Sequence, residues 1–296
     1  MLRIIILDGD IYEMNSIELE ARAKINLSLD ITGRRDDGYH TVKMIMQTVA
    51  LHDRVMLETV REGIEIQCNC RWVPSNESNI AYKAAKLLME TAGVKTGVKI
   101  VIDKKIPVAA GLAGGSSDAA AVLKGLNTLL DMGLSTNELM QVAKQIGADV
   151  PYCISGGTML AEGIGEILTG LSPLKGVAIL LVKPKIGVST AWVYSRLDLR
   201  NISRHPDTDL LISAIKNRDL HMLCKNTQNV LETVTIPKYG VIQRIKNILM
   251  ELGAIGSMMS GSGPTVFGIF KNARAAETAY RHVRKFNWEC ILTSTY

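Results

Sequence analysis

Hydrophobic and polar residues alternate most cleanly at the start of the chain's first third. Ile25, Leu27, Leu29 and Ile31 are apolar while Asn26, Ser28, Asp30 and Thr32 are polar, a period of two that predicts a strand. The same register places Lys24 and Asn26 together on its polar face. Gly33 and the charged stretch Arg34–Asp37 then form a loop ending in Gly38-Tyr39-His40. Further strand-like runs cover 42–50, 54–60, 64–70 and 98–103. Helical spacing appears in Asn79–Thr91, bounded by Ser78 and Gly93, and in 117–130, where Ala119, Val122, Leu123, Leu126, Leu129 and Leu130 make one stripe. A capping box, Ser135-x-x-Glu138, opens a third helix through Leu139, Val142, Ala143 and Ile146, which Gly147 ends.

From about residue 158 the pattern changes. A strand at 177–183 is followed by helical stretches near 207–216 and 239–252, a strand at 254–260, a Gly/Ser/Pro turn, a strand at 265–270, a helix at 273–285 and a strand at 288–293. That order is compatible with a split-βαβ, ferredoxin-like layer. The expected architecture is α+β in two halves, residues 1–160 and 161–296. Met14 begins a second plausible start, so residues 1–13 read as a dispensable extension.

Composition narrows the function classes. Of 296 residues 47% are hydrophobic and 21% charged, a globular rather than disordered profile. The net charge of +5 favours anionic ligands such as phosphates. The pairs Arg34-Arg35 and Lys104-Lys105 are too short to argue for nucleic acid. Five scattered cysteines suit free thiols; Cys68-Asn69-Cys70 has no second pair to complete a zinc site, and the five histidines show no HExxH spacing. Residues 2–7 are too short for a secretory core and are followed at once by Asp8 and Asp10, while the next longest apolar run, Val177–Val182, is far below a membrane span. A cytoplasmic protein with no membrane or nucleic-acid partner is expected, as a monomer or weak homodimer.

The strongest chemical signal is Pro107-Val108-Ala109-Ala110-Gly111-Leu112-Ala113-Gly114-Gly115-Ser116-Ser117, a Gly-rich loop running from a strand into a helix start. Glycines let backbone approach a ligand closely, and the N–H groups and dipole of the helix start favour a phosphate. It is neither a Walker A loop nor a dinucleotide fingerprint, since Gly-Lys-[Ser/Thr] and GxGxxG are both absent from the sequence. The plainer reading is a tight turn capped by serine. Asp149, in Gly147-Ala-Asp-Val-Pro151, reads by itself as a turn residue, and Lys24 as a surface lysine. Phosphoryl transfer nevertheless needs a carboxylate and a cation beside a phosphate cradle. Ser257–Thr265 is a second Gly/Ser-rich turn, either a structural hairpin or backbone lining a site.

Ala23-Lys24-Ile25-Asn26-Leu27 through Gly38-Tyr39-His40, the Pro107–Ala121 loop, Gly147–Pro151 and Ser260-Gly-Ser-Gly-Pro264 together resemble the GHMP small-molecule kinases, in the right order and over nearly the whole chain from Met14. The resemblance implies an N-terminal domain of ribosomal-protein-S5-like fold and a ferredoxin-like C-terminal domain. It implies ATP as phosphoryl donor and, from the first segment, a cytidine-diphosphate-linked polyol as acceptor; homoserine or mevalonate is the alternative acceptor within the family, and a basic nucleic-acid-binding module the alternative outside it. Lys24 and Asp149 match catalytic residues, and residues 107–117 with Asn79 and Lys104 match the ATP side. Asn26, Tyr39 and His40 match the substrate side, joined by an aromatic that is Tyr194, with Trp192 as rival. Mg²⁺ is expected mainly on the ATP phosphates, with Ser117 as the candidate protein contact.

Overall fold

The computed structural model describes residues 3–7 and 10–296, with side chains from Asn15 onward. Residues 1, 2, 8 and 9 lie outside the described residues, and with them part of the segment expected to be a dispensable extension. In chain order the elements begin with strands β1 (Arg3–Leu7), β2 (Asp10–Met14), β3 (Ser16–Arg34), β4 (His40–Val60) and β5 (Ile64–Cys68). Helix α1 (Ile80–Ala92), strand β6 (Gly97–Asp103), and helices α2 (Gly114–Leu129), α3 (Thr136–Lys144) and α4 (Val150–Ser155) follow. Next come β7 (Thr158–Glu162), β8 (Ile167–Gly170), β9 (Ala178–Lys183), and helices α5 (Thr190–Arg196), α6 (Thr208–Lys216), α7 (Leu220–Asn226), α8 (Glu232–Lys238) and α9 (Val241–Glu251). The chain closes with β10 (Gly256–Met259), β11 (Val266–Phe270), α10 (Ala273–Val283) and β12 (Glu289–Ser294).

These elements fold into two compact units that interleave along the sequence. One holds the residues up to Ala23 with His52–Val108 and Ala113–Ser155; the other holds Lys24–Leu51, Ala109–Leu112 and Gly156–Tyr296. The physical reason lies in β3 and β4, whose 19 and 21 residues far exceed an ordinary strand, so each contributes to both units.

In the first unit β5 pairs parallel with β6, and β6 pairs antiparallel with Arg54–Val60 of β4. Helices α1 and α2 pack on each other, and α4 packs on both α2 and α3. Their core is aliphatic, with Leu57, Leu88, Ile100, Ile102, Val122, Leu123 and Leu126 buried. The capping box expected from the sequence is present: Ser135 caps α3 and Glu138 reaches back to the Ser135 backbone. Helix α1 is capped by Asn79 rather than Ser78, and Gly93 closes it in the left-handed conformation.

The second unit contains an antiparallel sheet in the order β10-β11-β9-β12. Helix α9 packs against β10 and β11 through the side chains Ile242, Ile245 and Leu249, and α10 packs against β9 and β12 through Ala276, Ala279 and Val283. This strand order and the helix between β11 and β12 make it a split-βαβ layer, as the sequence pattern implied. In the same unit residues Met44–Gln47 of β4 pair with β7, and β7 with β8. Among the described residues no helix is long and apolar enough to cross a membrane.

Candidate active site

The Gly-rich loop leads into α2 without a side-chain cap. Ala113, the residue before the helix, has φ +56° and makes no capping hydrogen bond, and Ser116 and Ser117 lie inside the first turn rather than at the cap. The reading of a serine-capped turn is therefore set aside: the first N–H groups of α2 are left to other acceptors, the property that makes a helix start an anion site. Ala109, Gly111 and Ala113 have φ values of +51°, +74° and +56°. A left-handed alanine costs about 1–2 kcal/mol, so two of them within five residues is strain held in place by the surroundings. Positive φ at every second residue is also the kind of pattern that gathers successive N–H groups into an anion-binding concavity.

The middle of this loop, Ala109–Leu112, belongs to the second unit, where it meets β3 and the turn between β10 and β11. The Lys24 backbone N–H donates to the Leu112 carbonyl (3.1 Å), and Ser260 Oγ donates to the Gly111 carbonyl (2.9 Å). Only glycine fits at 111, because a Cβ there would stand 2.3 Å from the Ser260 carbonyl oxygen. The second Gly/Ser turn is thus packed backbone to backbone against the first, which favours the lining reading over that of an isolated hairpin. It is held from behind by Asn229, whose Nδ2 donates to the carbonyls of Met259 (2.9 Å) and Gly261 (2.7 Å), and by Thr235 Oγ1, which donates to the Ser262 carbonyl (3.3 Å). Sequence reasoning passed over Asn229 and Thr235; a lone Asn or Thr beside a short helix gives no signal.

Lys24 and Asn26 do project from the same face of β3. Lys24 Nζ donates to Asn26 Oδ1 (2.9 Å), and Asn26 Nδ2 donates to Met44 Sδ (3.3 Å). Lys24 is 5% exposed, not a surface lysine, and Asn26 is fully buried with its Oδ1 accepting from the Lys24 ammonium.

At the other end of β3, the turn Arg35–Tyr39 is closed by Arg35 N–H to Tyr39 carbonyl (2.8 Å), with the Tyr39 N–H donating to Asp37 Oδ1 (3.1 Å). Tyr39 is left 60% exposed. The His40 ring lies 5.4 Å from that of Tyr194, tilted by 49°. Trp192, the rival aromatic, is engaged instead by Tyr239 edge-on at 6.2 Å and by Lys238 Nζ over its ring at 3.9 Å. Desolvation, and then the Arg34 charge, hold His40 below the ordinary imidazole range. At neutral pH its ring therefore has one donor and one acceptor nitrogen.

In the first unit Asp149 stands immediately before α4, its carbonyl accepting the Cys153 N–H (3.1 Å), so it opens a helix that sequence reading had taken for a turn. The amide of Asn79 is occupied at both ends: Oδ1 accepts the Ala81 N–H (2.8 Å) and Nδ2 donates to the Pro74 carbonyl (2.7 Å). Asn79 thus shapes the loop before α1. The Lys104 ammonium is likewise bound by the carboxylates of Asp53 and Asp118. Pro107 is buried and Val108 exposed. Ser117 is 2% exposed and its hydroxyl donates to the Arg22 carbonyl, whereas Ser116 is only half-buried. Among the described residues no group of three or more His, Cys, Asp or Glu could hold a metal ion. The Ser117 hydroxyl, the candidate metal contact, is engaged with the Arg22 carbonyl in this structure.

Comparison with known proteins identifies the family. The family model described as the GHMP kinases N terminal domain matches residues 79–157, and that described as GHMP kinases C terminal matches residues 211–288. The 4-diphosphocytidyl-2-C-methyl-D-erythritol kinase of Acetivibrio thermocellus is 60% identical over 282 residues, which is 95% of this chain and 100% of that protein. The enzyme of the same name from Alkaliphilus oremlandii is 52% identical over 96% of this chain and 98% of its own length. A crystal structure of 4-(cytidine 5'-diphospho)-2C-methyl-D-erythritol kinase superposes with a TM-score of 0.83 at 31% identity, covering 95% of this chain and 100% of that one.

Proposed function

The chain belongs to the GHMP kinases, alongside the 4-diphosphocytidyl-2-C-methyl-D-erythritol kinases that it matches along their whole length, and from that premise we propose the reaction it performs. It transfers the γ-phosphoryl group of ATP to the 2-hydroxyl of 4-diphosphocytidyl-2-C-methyl-D-erythritol, giving the 2-phosphate and ADP, a step of the non-mevalonate route to isoprenoid precursors. The observation that carries this reading is the 60% identity to a kinase of that name across the whole of that protein. A homoserine- or mevalonate-type acceptor would leave the aromatic pair His40–Tyr194 without a base to bind.

In this reading the loop 107–117 receives the ATP phosphates on the uncapped first turn of α2. Asp149 accepts the proton of the acceptor hydroxyl as its oxygen bonds to the γ-phosphorus and the bond to the bridging β–γ oxygen breaks, releasing ADP. Lys24, aimed by Asn26, offsets the charge that develops on the transferring group. Tyr39 and Tyr194 stack on the two faces of the cytosine, and neutral His40 offers one donor and one acceptor nitrogen to its edge. Magnesium is placed with the ATP phosphates, and no step here depends on a protein-bound ion. The family models, ending at 157 and beginning at 211, support a catalytic division into residues 1–160 and 161–296.

The test is product identity. With ATP and the cytidyl polyol, ³¹P NMR is expected to show one new phosphomonoester signal, and ¹³C shifts are expected to place it on the quaternary carbon. A phosphate on any other hydroxyl, or none, refutes the reading.

A further inference from the structure

The loop that bends from β6 into α2 is fastened at both feet by one buried ionic cluster. Asp53, fully buried in β4, accepts the N–H groups of Lys105 and Ile106 (2.7 Å for Ile106) on one carboxylate oxygen and the Lys104 ammonium on the other. Lys104 Nζ reaches on to Asp118 Oδ2 (2.7 Å), in the second turn of α2. The Lys104 backbone N–H is held in turn by Asn69 Oδ1 (2.9 Å). The cluster therefore joins the last residues before Pro107 to the helix that begins after Ala113. Its ammonium lies directly under the helix start: a Cβ on Gly114 would be 3.2 Å from Lys104 Nζ and 3.0 Å from Ile106 Cγ2.

The cluster sets two carboxylates against one ammonium. A buried ion pair recovers its desolvation cost only with full hydrogen bonding, and an apolar replacement is often as stable. Here Asp118 Oδ1 is buried with no hydrogen-bond partner. Burial pushes the Asp118 carboxyl up to about 7 against the pull of Lys104, while the two carboxylates hold Lys104 charged in spite of its own burial.

We propose that Asp53 and Asp118, acting through Lys104, are positioning residues for nucleotide binding: they clamp the two feet of the Gly-rich loop so that its N–H groups are already arranged for the phosphates of a nucleoside triphosphate. This rests on the kinase reading above and adds to it Asp53 and Asp118, which that reading places on neither ATP nor the acceptor. The clamp sets ATP affinity and leaves the acceptor site alone.

The test uses the full chain with Asp53→Asn and Asp118→Asn, each of which keeps the side-chain shape and removes the charge that Lys104 needs. ATP binding is measured by calorimetry with Mg·ATP, together with KM for ATP, KM for the cytidyl polyol, and Tm. Each variant is expected to weaken ATP binding about tenfold or more, the scale of one charge-assisted hydrogen bond, with KM for the polyol within about twofold of wild type. A lowered Tm with unchanged ATP affinity makes the cluster merely structural and overturns the proposal. An equal rise in both KM values, which means a general disturbance, overturns it too. If neither variant folds, Gly114→Ala presses a methyl group on the ammonium from the loop side, and wild-type ATP affinity in that variant overturns the clamp. Failure of the wild type itself to bind ATP would refute the kinase reading and the clamp with it; wild-type binding matched by both variants refutes the clamp alone.

Discussion

Replacing Gly111 by alanine probes the joint between the two Gly/Ser loops. The backbone there has φ +74°, where an alanine costs about 1–2 kcal/mol. The new methyl carbon would stand 2.3 Å from the Ser260 carbonyl oxygen and 3.1 Å from that of Gly263. Both are backbone atoms, so relief requires the 260–263 turn to move, with an overpacking cost of about 1–3 kcal/mol. That movement also strains the Ser260 Oγ to Gly111 carbonyl bond, worth about 1 kcal/mol. Together these give about 3–6 kcal/mol, or a fall in Tm of roughly 5–10 °C for a chain of this size. Gly38→Ala is the control: its φ is +86° but nothing lies within 4 Å of the added carbon, so it carries only the backbone term, about 1–2 kcal/mol. The assay is thermal unfolding of both variants, followed by KM for ATP on whatever remains folded at 20–25 °C. The expected order is a large loss for Gly111→Ala with a raised KM, and a small loss for Gly38→Ala. Equal, small shifts would mean that the loops do not pack as described.

Other perturbations separate chemistry from scaffolding. Asp149→Ala is expected to lower kcat by about 10²–10⁴-fold while ATP affinity survives, measured by ADP release and calorimetry; near-normal turnover would end its role as proton acceptor. Asn26→Leu removes the Asn26 acceptor from the Lys24 ammonium and is expected to reduce kcat by about tenfold, with KM for ATP little changed. Because His40 takes up its proton less readily in the folded chain than at the ordinary 6.5, the stability its neutral ring lends is complete above about that pH and is lost as pH falls through the window just below it. KM for the cytidyl polyol is accordingly expected to be flat from pH 7 to 8 and to rise on acidification; a KM that improves toward pH 6 would show that the protonated ring is the binding form. Ser135→Ala removes the capping box of α3, costing about 1 kcal/mol in a melting experiment with kcat unchanged.

Much of the fold could be read from the chain because its longer elements follow clean periods. Ile25, Leu27, Leu29 and Ile31 are all buried, as the alternation implied. The same alternation misled on the opposite face, where Lys24, Asn26, Ser28 and Asp30 are buried as well. Period two says which side chains share a face; whether that face is wet depends on partners from elsewhere, here Met44 for Asn26, the Ile45 N–H for Ser28 and His205 for Asp30. The short helices were illegible for a different reason. Residues Glu232–Lys238 read Glu-Thr-Val-Thr-Ile-Pro-Lys, a β-branched run with a proline, yet form α8, whose environment overrides its propensity. Helix α4, only six residues long, hid the structural place of Asp149. In the candidate site, motif reading found the loops and the residues near them but not how they are held. Nothing in the sequence reveals that the Asn79 amide is engaged by Pro74 and Ala81, or the Lys104 ammonium by Asp53 and Asp118.

The central claim is tested most directly by ADP release from Mg·ATP with the cytidyl polyol, homoserine and mevalonate as parallel acceptors. The account expects release that depends strictly on 4-diphosphocytidyl-2-C-methyl-D-erythritol. Release with homoserine or mevalonate alone would keep the phosphate loop and contradict the cytidine site, and release with none of the three from a chain that binds ATP would contradict the proposed reaction itself.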